Sequence, residues 1–245
     1  MDITTMAGFA ALTGMVVAGV LTGQLPKFFL NWHGLAIVLG GTFSAMLVNT
    51  PMRDVLEAVG ALFRLLRGSR YPTFPIIAAQ VSDLAESVHV RGRTALREVD
   101  ANIVGGYLAR AAAVAVEYNS PDVVMQILET EINMDYDRQN EMVNVYRTMS
   151  VLAPMFGLLG TLIGIVSVLR EISNPELVGK SMAIAMTTAF YGIAMANAFC
   201  VPIAGKLRSR NIQELRARSM VADGIVMMLR GTVPAVIERK LRSYR

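Results

Sequence analysis

Two stretches of this chain, Met149 to Leu169 and Ser181 to Ile203, contain no Asp, Glu, Lys, Arg or His. Wound as a helix at 1.5 Å per residue, the second reaches roughly 34 Å, against a bilayer hydrocarbon core of about 30 Å. Each predicts a membrane-spanning helix. Two more apolar runs lie near the N-terminus, Ile3 to Thr22 and roughly Leu30 to Val48. The first has Asp2 but no Lys or Arg before it and no convincing cleavage site, so it reads as a retained span rather than a secretory signal. The second excludes His33 from its core and carries Gly40-Gly41, and it reads as a shorter span.

The remaining segments have helical periodicity. Thr50-Pro51 predicts a helix start, with a capping hydroxyl and a proline in the first turn, and Val55, Leu56, Val59, Leu62, Phe63 and Leu66 follow at helical spacing. Gly68 to Pro75 predicts a break. Ile76 to Val88 carries the next stripe, Gly92 interrupts it, and short helices are expected over Arg93–Asp100 and Asn102–Val116, the latter with Leu108, Ala112 and Val116 on one face. Ser120-Pro121-Asp122 supplies a cap, a proline and an acidic first turn to a helix striped by Val124, Ile127, Leu128 and Ile132. Nothing breaks that helix before Met149, so it is expected to run straight into the third span. The fourth span is expected to continue as a basic helix through Lys206, Arg208, Arg210, Arg216 and Arg218, to end at Gly231, and to be followed by a short helix from Pro234.

The fold class is therefore an all-α membrane protein: four transmembrane helices, a large helical cytoplasmic insert between spans 2 and 3, and a cytoplasmic C-terminal helix. The divisions are 3–48 for the first two spans, 49–148 for the insert, 149–203 for spans three and four as the ion-path core, and 204–245 for the C-terminal helices. Charge sets the orientation. Of 23 Lys and Arg residues, ten fall in 49–148 and ten in 204–245, against one in 22–33 and two in 170–180. The positive-inside rule makes the basic side cytoplasmic and puts both termini there. That topology accounts for the basic tail without nucleic acid as a partner. The single cysteine, Cys200, reads as an apolar filler, and His33 and His89 are expected on opposite faces of the membrane, so no metal site is expected. No nucleophile, base or metal constellation supports an enzyme, and no cofactor is expected.

The candidate chemistry lies in the third and fourth spans. Gly157 to Gly164 is glycine-rich but lacks the Gly-Lys-Ser/Thr ending of a phosphate loop. It can serve close helix packing. It can also present a narrow face made of positions 154, 157, 161, 164 and 168, with one hydroxyl, that of Thr161. Thr187 and Thr188 have two readings as well: a bond to the helix's own carbonyl one turn back, or, for Thr188, a polar face shared with Tyr191 and Gly192. One absence weighs heavily. Ion relays at membrane depth are built from carboxylates and similar groups, and no span holds Asp, Glu, Lys, Arg or His near its middle. Any ion path would take its charged group from another polypeptide; otherwise the spans form a scaffold that passes no ion.

The run Ala153-Pro154-Met155-Phe156-Gly157-Leu158-Leu159-Gly160-Thr161-Leu162-Ile163-Gly164 resembles the third-span motif of flagellar motor stator A subunits (MotA and PomA) of the MotA/TolQ/ExbB group. Thr187-Thr188-Ala189-Phe190-Tyr191-Gly192, Asn197-Ala198-Phe199 and Pro202 to Leu207 resemble the fourth-span motif. Ile37 to Thr42, Ile127 to Ile132 and Pro234 to Tyr244 extend the resemblance over nearly the whole chain, and four spans fit the stator branch better than three-span TolQ or ExbB. The resemblance implies a homo-pentamer in the bacterial inner membrane around a dimer of a B-type stator subunit (MotB/PomB-like). That partner's single span carries an ion-binding aspartate for H+ or Na+. It also implies that Thr161 and Thr188, with Thr187 beside them, line the ion pathway, that Pro154 and Pro202 are torque-related, and that a flagellar rotor protein (FliG-like) is the load. Thr161 leans the ion toward sodium.

One stretch departs from the family pattern. Aligned on Gly92, the family's basic rotor-facing position falls on His89 and its glutamate on Arg97. Arg91, Arg93, Arg97 and Glu98 are the rotor-facing charges this sequence offers, and a solvated helix face is the competing reading. The departure keeps open a ring that powers gliding, envelope transport or defence instead of a flagellum.

Overall fold

The computed structural model describes residues 31–67, 73–99 and 103–244, with scattered positions between 7 and 22. More than half of the expected first span falls outside the described residues, as does most of the expected break at 68–75. The helices are α1 (Trp32–Asn49), α2 (Met52–Arg67), α3 (Phe74–Arg91), α4 (Tyr107–Glu117), α5 (Pro121–Arg170), α6 (Pro175–Ala194), α7 (Val201–Leu229) and α8 (Pro234–Leu241). A π-helical turn, Met195–Cys200, joins α6 to α7 without a break, and 3-10 segments occupy Gly92–Glu98 and Ile103–Gly106. No strand occurs among the described residues. Three of the described helices are long and apolar enough to cross a membrane: α1, α5, and the joined α6–α7.

The chain forms two compact units, one from residues up to 68 with 141–208, the other from 69–140 with 209–245. In the first, Asn31 caps α1 by accepting the N–H groups of His33 (3.0 Å) and Gly34 (3.2 Å), so the helix starts at Trp32. The start of α2 differs from the expected hydroxyl cap. Thr50 is extended and its hydroxyl accepts from the Asn49 amide at 3.4 Å, while the carbonyl of Pro51 takes the N–H groups of Asp54 and Val55. Met46 of α1, Ala58, Ala61 and Leu65 of α2, Val143 and Tyr146 of α5, and Cys200 with Ile203 form the core. The Tyr146 hydroxyl donates to the Ala58 carbonyl at 3.0 Å. Cys200 is one apolar side chain among these, as expected.

In the second unit two helix boundaries move. Gly92, at φ +70°, ends α3, and the expected helix over 93–100 is a seven-residue 3-10 run. The helix expected from Asn102 begins only at Tyr107, because Val104, Gly105 and Gly106 are all left-handed, a conformation that breaks the helix and that valine adopts only at a cost. Its inner face is Tyr107, Leu108, Ala111, Ala112 and Ala115, and Val116 is only half-buried. At the far end of α7, Gly231 takes the left-handed conformation, its N–H bonds Met228, and the N–H of Thr232 bonds Met227. That double closure satisfies the last carbonyls and ends the helix where the sequence predicts. One polar cluster is buried here. The Arg218 guanidinium meets the carboxylates of Asp135 and Glu214 and lies 5.4 Å from the centre of the Tyr107 ring. Burial, reinforced by Glu131, pushes the Tyr107 phenol above its ordinary range, so the ring stays neutral beneath the cation.

Candidate ion-path site

The third-span motif of α5 and the fourth-span motif of α6 meet backbone to backbone. A Cβ on Gly157 would lie 2.9 Å from the Thr188 carbonyl oxygen, one on Gly160 2.6 Å from the Thr188 Cβ, and one on Gly164 2.6 Å from the Ala185 Cβ. From the other side, a Cβ on Gly192 would lie 2.5 Å from the Ala153 carbonyl oxygen. Small residues let the two helices approach this closely, and dispersion and Cα–H contacts then replace side-chain packing.

The packed face runs through Ala153, Gly157, Gly160 and Gly164, at spacings of four, three and four. This divides the face expected from sequence: Gly157 and Gly164 belong to it, whereas Thr161 sits on its flank, half-exposed, and its hydroxyl donates to the Leu158 carbonyl at 2.6 Å. Thr188 is fully buried. Its hydroxyl donates to the Ala185 carbonyl at 2.9 Å, and its methyl lies 3.1 Å from where a Gly34 Cβ would stand. Thr187 bonds its own helix at Ala183 (2.9 Å) and Ile184 (3.1 Å). Thr187, Thr188 and Tyr191 thus gather around Gly34 of α1, and the Tyr191 hydroxyl accepts the Asn31 N–H at 2.9 Å, tying α6 to the cap of α1.

Both prolines interrupt helix bonding. Pro154, inside α5, cannot donate to the carbonyl of Ser150. Pro202 is exposed near the start of α7, directly after the π turn, where the Val201 N–H reaches back to Ala196. Widening the winding just before a proline is one way a helix absorbs the missing donor. Two features of α1 were not singled out from sequence. Gly41 leaves room for the Phe156 ring, which a Cβ would meet at 2.2 Å, and the Thr42 hydroxyl is fully buried with no partner among the described residues. The run Gly40-Gly41-Thr42 carried the signal, but a glycine pair reads as helix weakening until its neighbour is known.

The four charges expected to face a rotor lie in the second unit. Arg91 and Glu98 pair at 2.7 Å across the reversal made by Gly92, Arg93 bonds the Asn119 side chain at 2.8 Å, and Arg97 is exposed. All four are solvent-facing, where an ion pair is worth about 0–1 kcal/mol. No group of three His, Cys, Asp or Glu among the described residues could hold a metal ion.

A sequence profile described as the MotA/TolQ/ExbB proton channel family matches residues 95–220, just over half of the chain. The chain belongs to that family. Along its whole length it is 27% identical to Chemotaxis protein PomA of Vibrio alginolyticus, covering 95% of that protein, and 28% identical to Motility protein A of Bacillus subtilis, covering 91%. Its fold superposes on C. jejuni MotAB with a TM-score of 0.87 at 21% identity, covering 100% of this chain and 96% of that one. For the flagellar MotAB stator complex of Bacillus subtilis the TM-score is 0.83 at 25% identity, covering 100% and 94%. In this MotA/TolQ/ExbB member the segments of α5 and α6 that meet along the seam, 153–164 and 185–192, carry no charged side chain, and their side-chain oxygens are the neutral ones of Thr161, Thr187, Thr188 and Tyr191.

Proposed function

We propose that this chain is the A subunit of an ion-driven rotary stator unit, which converts proton or sodium flow through a complex with a B-type partner into torque on a flagellar rotor. The carrying observation is the neutral, hydroxyl-bearing seam in a chain similar over its full length to motility protein A. Such a seam can wall an ion path but supplies no charged relay. The partner brings the carboxylate. Four spans cross the inner membrane with both termini cytoplasmic, and five copies surround a dimer of the one-span partner. The domains follow the membrane: spans at 3–48 and 149–203, cytoplasmic helices at 49–148 and 204–245.

Within that unit Thr161, half-exposed beside the seam, presents its oxygen to the ion. Thr188 and Thr187 lie behind it and keep the wall polar. Each unit charge crossing 100 mV releases about 2.3 kcal/mol, enough to bias a rotation of modest barrier. Pro154 and Pro202, at the two places where helix bonding is interrupted, are where α5 and α7 yield as the ring turns. Sodium is favoured by Thr161.

Arg91, Arg93, Arg97 and Glu98 contact the rotor. Arg97→Glu tests this: swimming speed is expected to fall severalfold while ion conductance of the assembled complex is unchanged. Undiminished swimming would remove the rotor from this surface, and unaffected motility on deletion of the whole chain would remove the flagellar load.

A further inference from the structure

We infer that Arg218 is a positioning residue of the motor: its ion pair with Asp135 sets the axial register of α7 against α5 in the second unit, so that the two helices bear load without sliding past each other. The inference rests on the stator reading above. Two ion pairs tie these helices. Asp122, in the first turn of α5, meets Arg230, one residue past the end of α7, at 2.8 Å, and Asp135 meets Arg218. Asp122 to Asp135 is 13 residues along α5, and Arg230 to Arg218 is 12 residues back along α7, about 20 Å and 18 Å of helix. Two ties this far apart agree on a single antiparallel register. A third helix is fastened to α5 between them. The Tyr107 hydroxyl of α4 donates to the Leu128 carbonyl at 3.4 Å, and Arg110 of α4 pairs with Glu131 at 3.1 Å.

The inner tie carries the register. The side chains of Asp122 and Arg230 are 84% and 56% exposed, and water weakens a pair of that kind. The Arg218 side chain is only 11% exposed, with Glu214 of its own helix as a second carboxylate and the Tyr107 ring centre 5.4 Å away. A guanidinium at this depth loses far more than an exposed one when its partner moves off, because water does not take the partner's place. Its planar fork also holds two carboxylates in fixed directions. The neighbouring positions of α5 oppose a slip. One turn in one direction sets Arg218 against Arg138, a like charge. One turn the other way sets it against Glu131, which already holds Arg110. Fixing register is the best-attested use of a buried polar group. The register bears on torque because the chain passes between the two units three times, and two of those passages, at 140–141 and 208–209, lie inside α5 and α7. Load on the rotor-facing charges of the second unit is carried along these helices.

The test uses the full chain, carrying Cys200→Ala, assembled with its B-type partner. Cysteines at Glu129 on α5 and Gln213 on α7, both exposed, carry nitroxide labels, and excess unlabelled chain keeps one labelled copy per complex. Double electron–electron resonance reads the distance between the labels. The triple variant Arg218→Met, Asp135→Leu, Glu214→Leu removes the charges and keeps the bulk, an exchange that buried ion groups tolerate without loss of stability. Thermal unfolding and ion flux are expected to match the parent. The distance distribution is expected to broaden about twofold, and torque per unit, read as speed steps of tethered cells, to fall severalfold. A distribution as narrow as the parent's overturns the inference, and so does full torque with a broadened one. If the triple variant does not assemble, Arg218→Lys decides. Lysine keeps the charge but has no fork for two carboxylates, so a broadened distance and reduced torque are expected there too, and parental values overturn the inference. A parent complex that turns no rotor would remove the stator reading instead, while the distances would still test the register.

Discussion

Gly192→Ala is expected to abolish rotation and to lower sharply the amount of assembled complex. The added methyl would stand 2.5 Å from the Ala153 carbonyl oxygen and 3.1 Å from the Cα atoms of Pro154 and Gly157. These are backbone atoms, so no rotamer change relieves the clash and α5 and α6 must separate. Overpacking of this kind costs about 3 kcal/mol, and separation along the seam also disturbs the surroundings of Thr188. Gly205→Ala provides the comparison. A Cβ there meets nothing within 4 Å, and alanine is favoured over glycine in a helix by about 1 kcal/mol. Complex recovered after detergent extraction and its thermal unfolding should fall for the first variant and hold or rise for the second. Equal behaviour would mean that the seam is not the tight contact described.

Thr161→Val is expected to leave assembly intact while reducing torque and ion flux at least tenfold, a barrier increase of about 1.4 kcal/mol. Valine keeps the shape, and the lost bond to the Leu158 carbonyl is local and half-exposed, worth about 1 kcal/mol of stability. A structural role would therefore show little. An oxygen that replaces part of an ion's hydration shell would show much, because a threonine hydroxyl that donates to its helix still has acceptor capacity for a cation. Thr188→Val should give the reverse balance, with more effect on assembly, since its side chain fills the gap between Gly34 and Gly160. Full torque in Thr161→Val would take this hydroxyl out of the path.

The helices were legible because their signals are local. Ser120-Pro121-Asp122 starts α5, Gly231 closes α7, and the absence of a breaker before Met149 lets α5 run on into the third span. Glycine-rich spacing in the third span announced close packing, but not which side of the helix it used. Gly157 and Gly164 belong equally to a face with Thr161 or a face with Gly160, and only the position of Thr188 decides between them. The π turn before Pro202 depends on how α7 continues, which no short motif encodes. The late start of α4 came from Val104 adopting a left-handed conformation that its β-branched side chain disfavours, so local preference pointed the other way. The pairing of Arg91 with Glu98 depends on a chain reversal at Gly92, and the burial of Arg218 against Asp135 joins residues far apart in sequence.

The division of labour between neutral seam and charged partner is tested most directly by ion flux into vesicles. The purified chain alone, the chain with its B-type partner, and the chain with a partner whose membrane aspartate is changed to asparagine would be compared under the same imposed potential. Flux is expected only for the complex with the intact aspartate. Selective cation flux through the chain by itself would contradict the account.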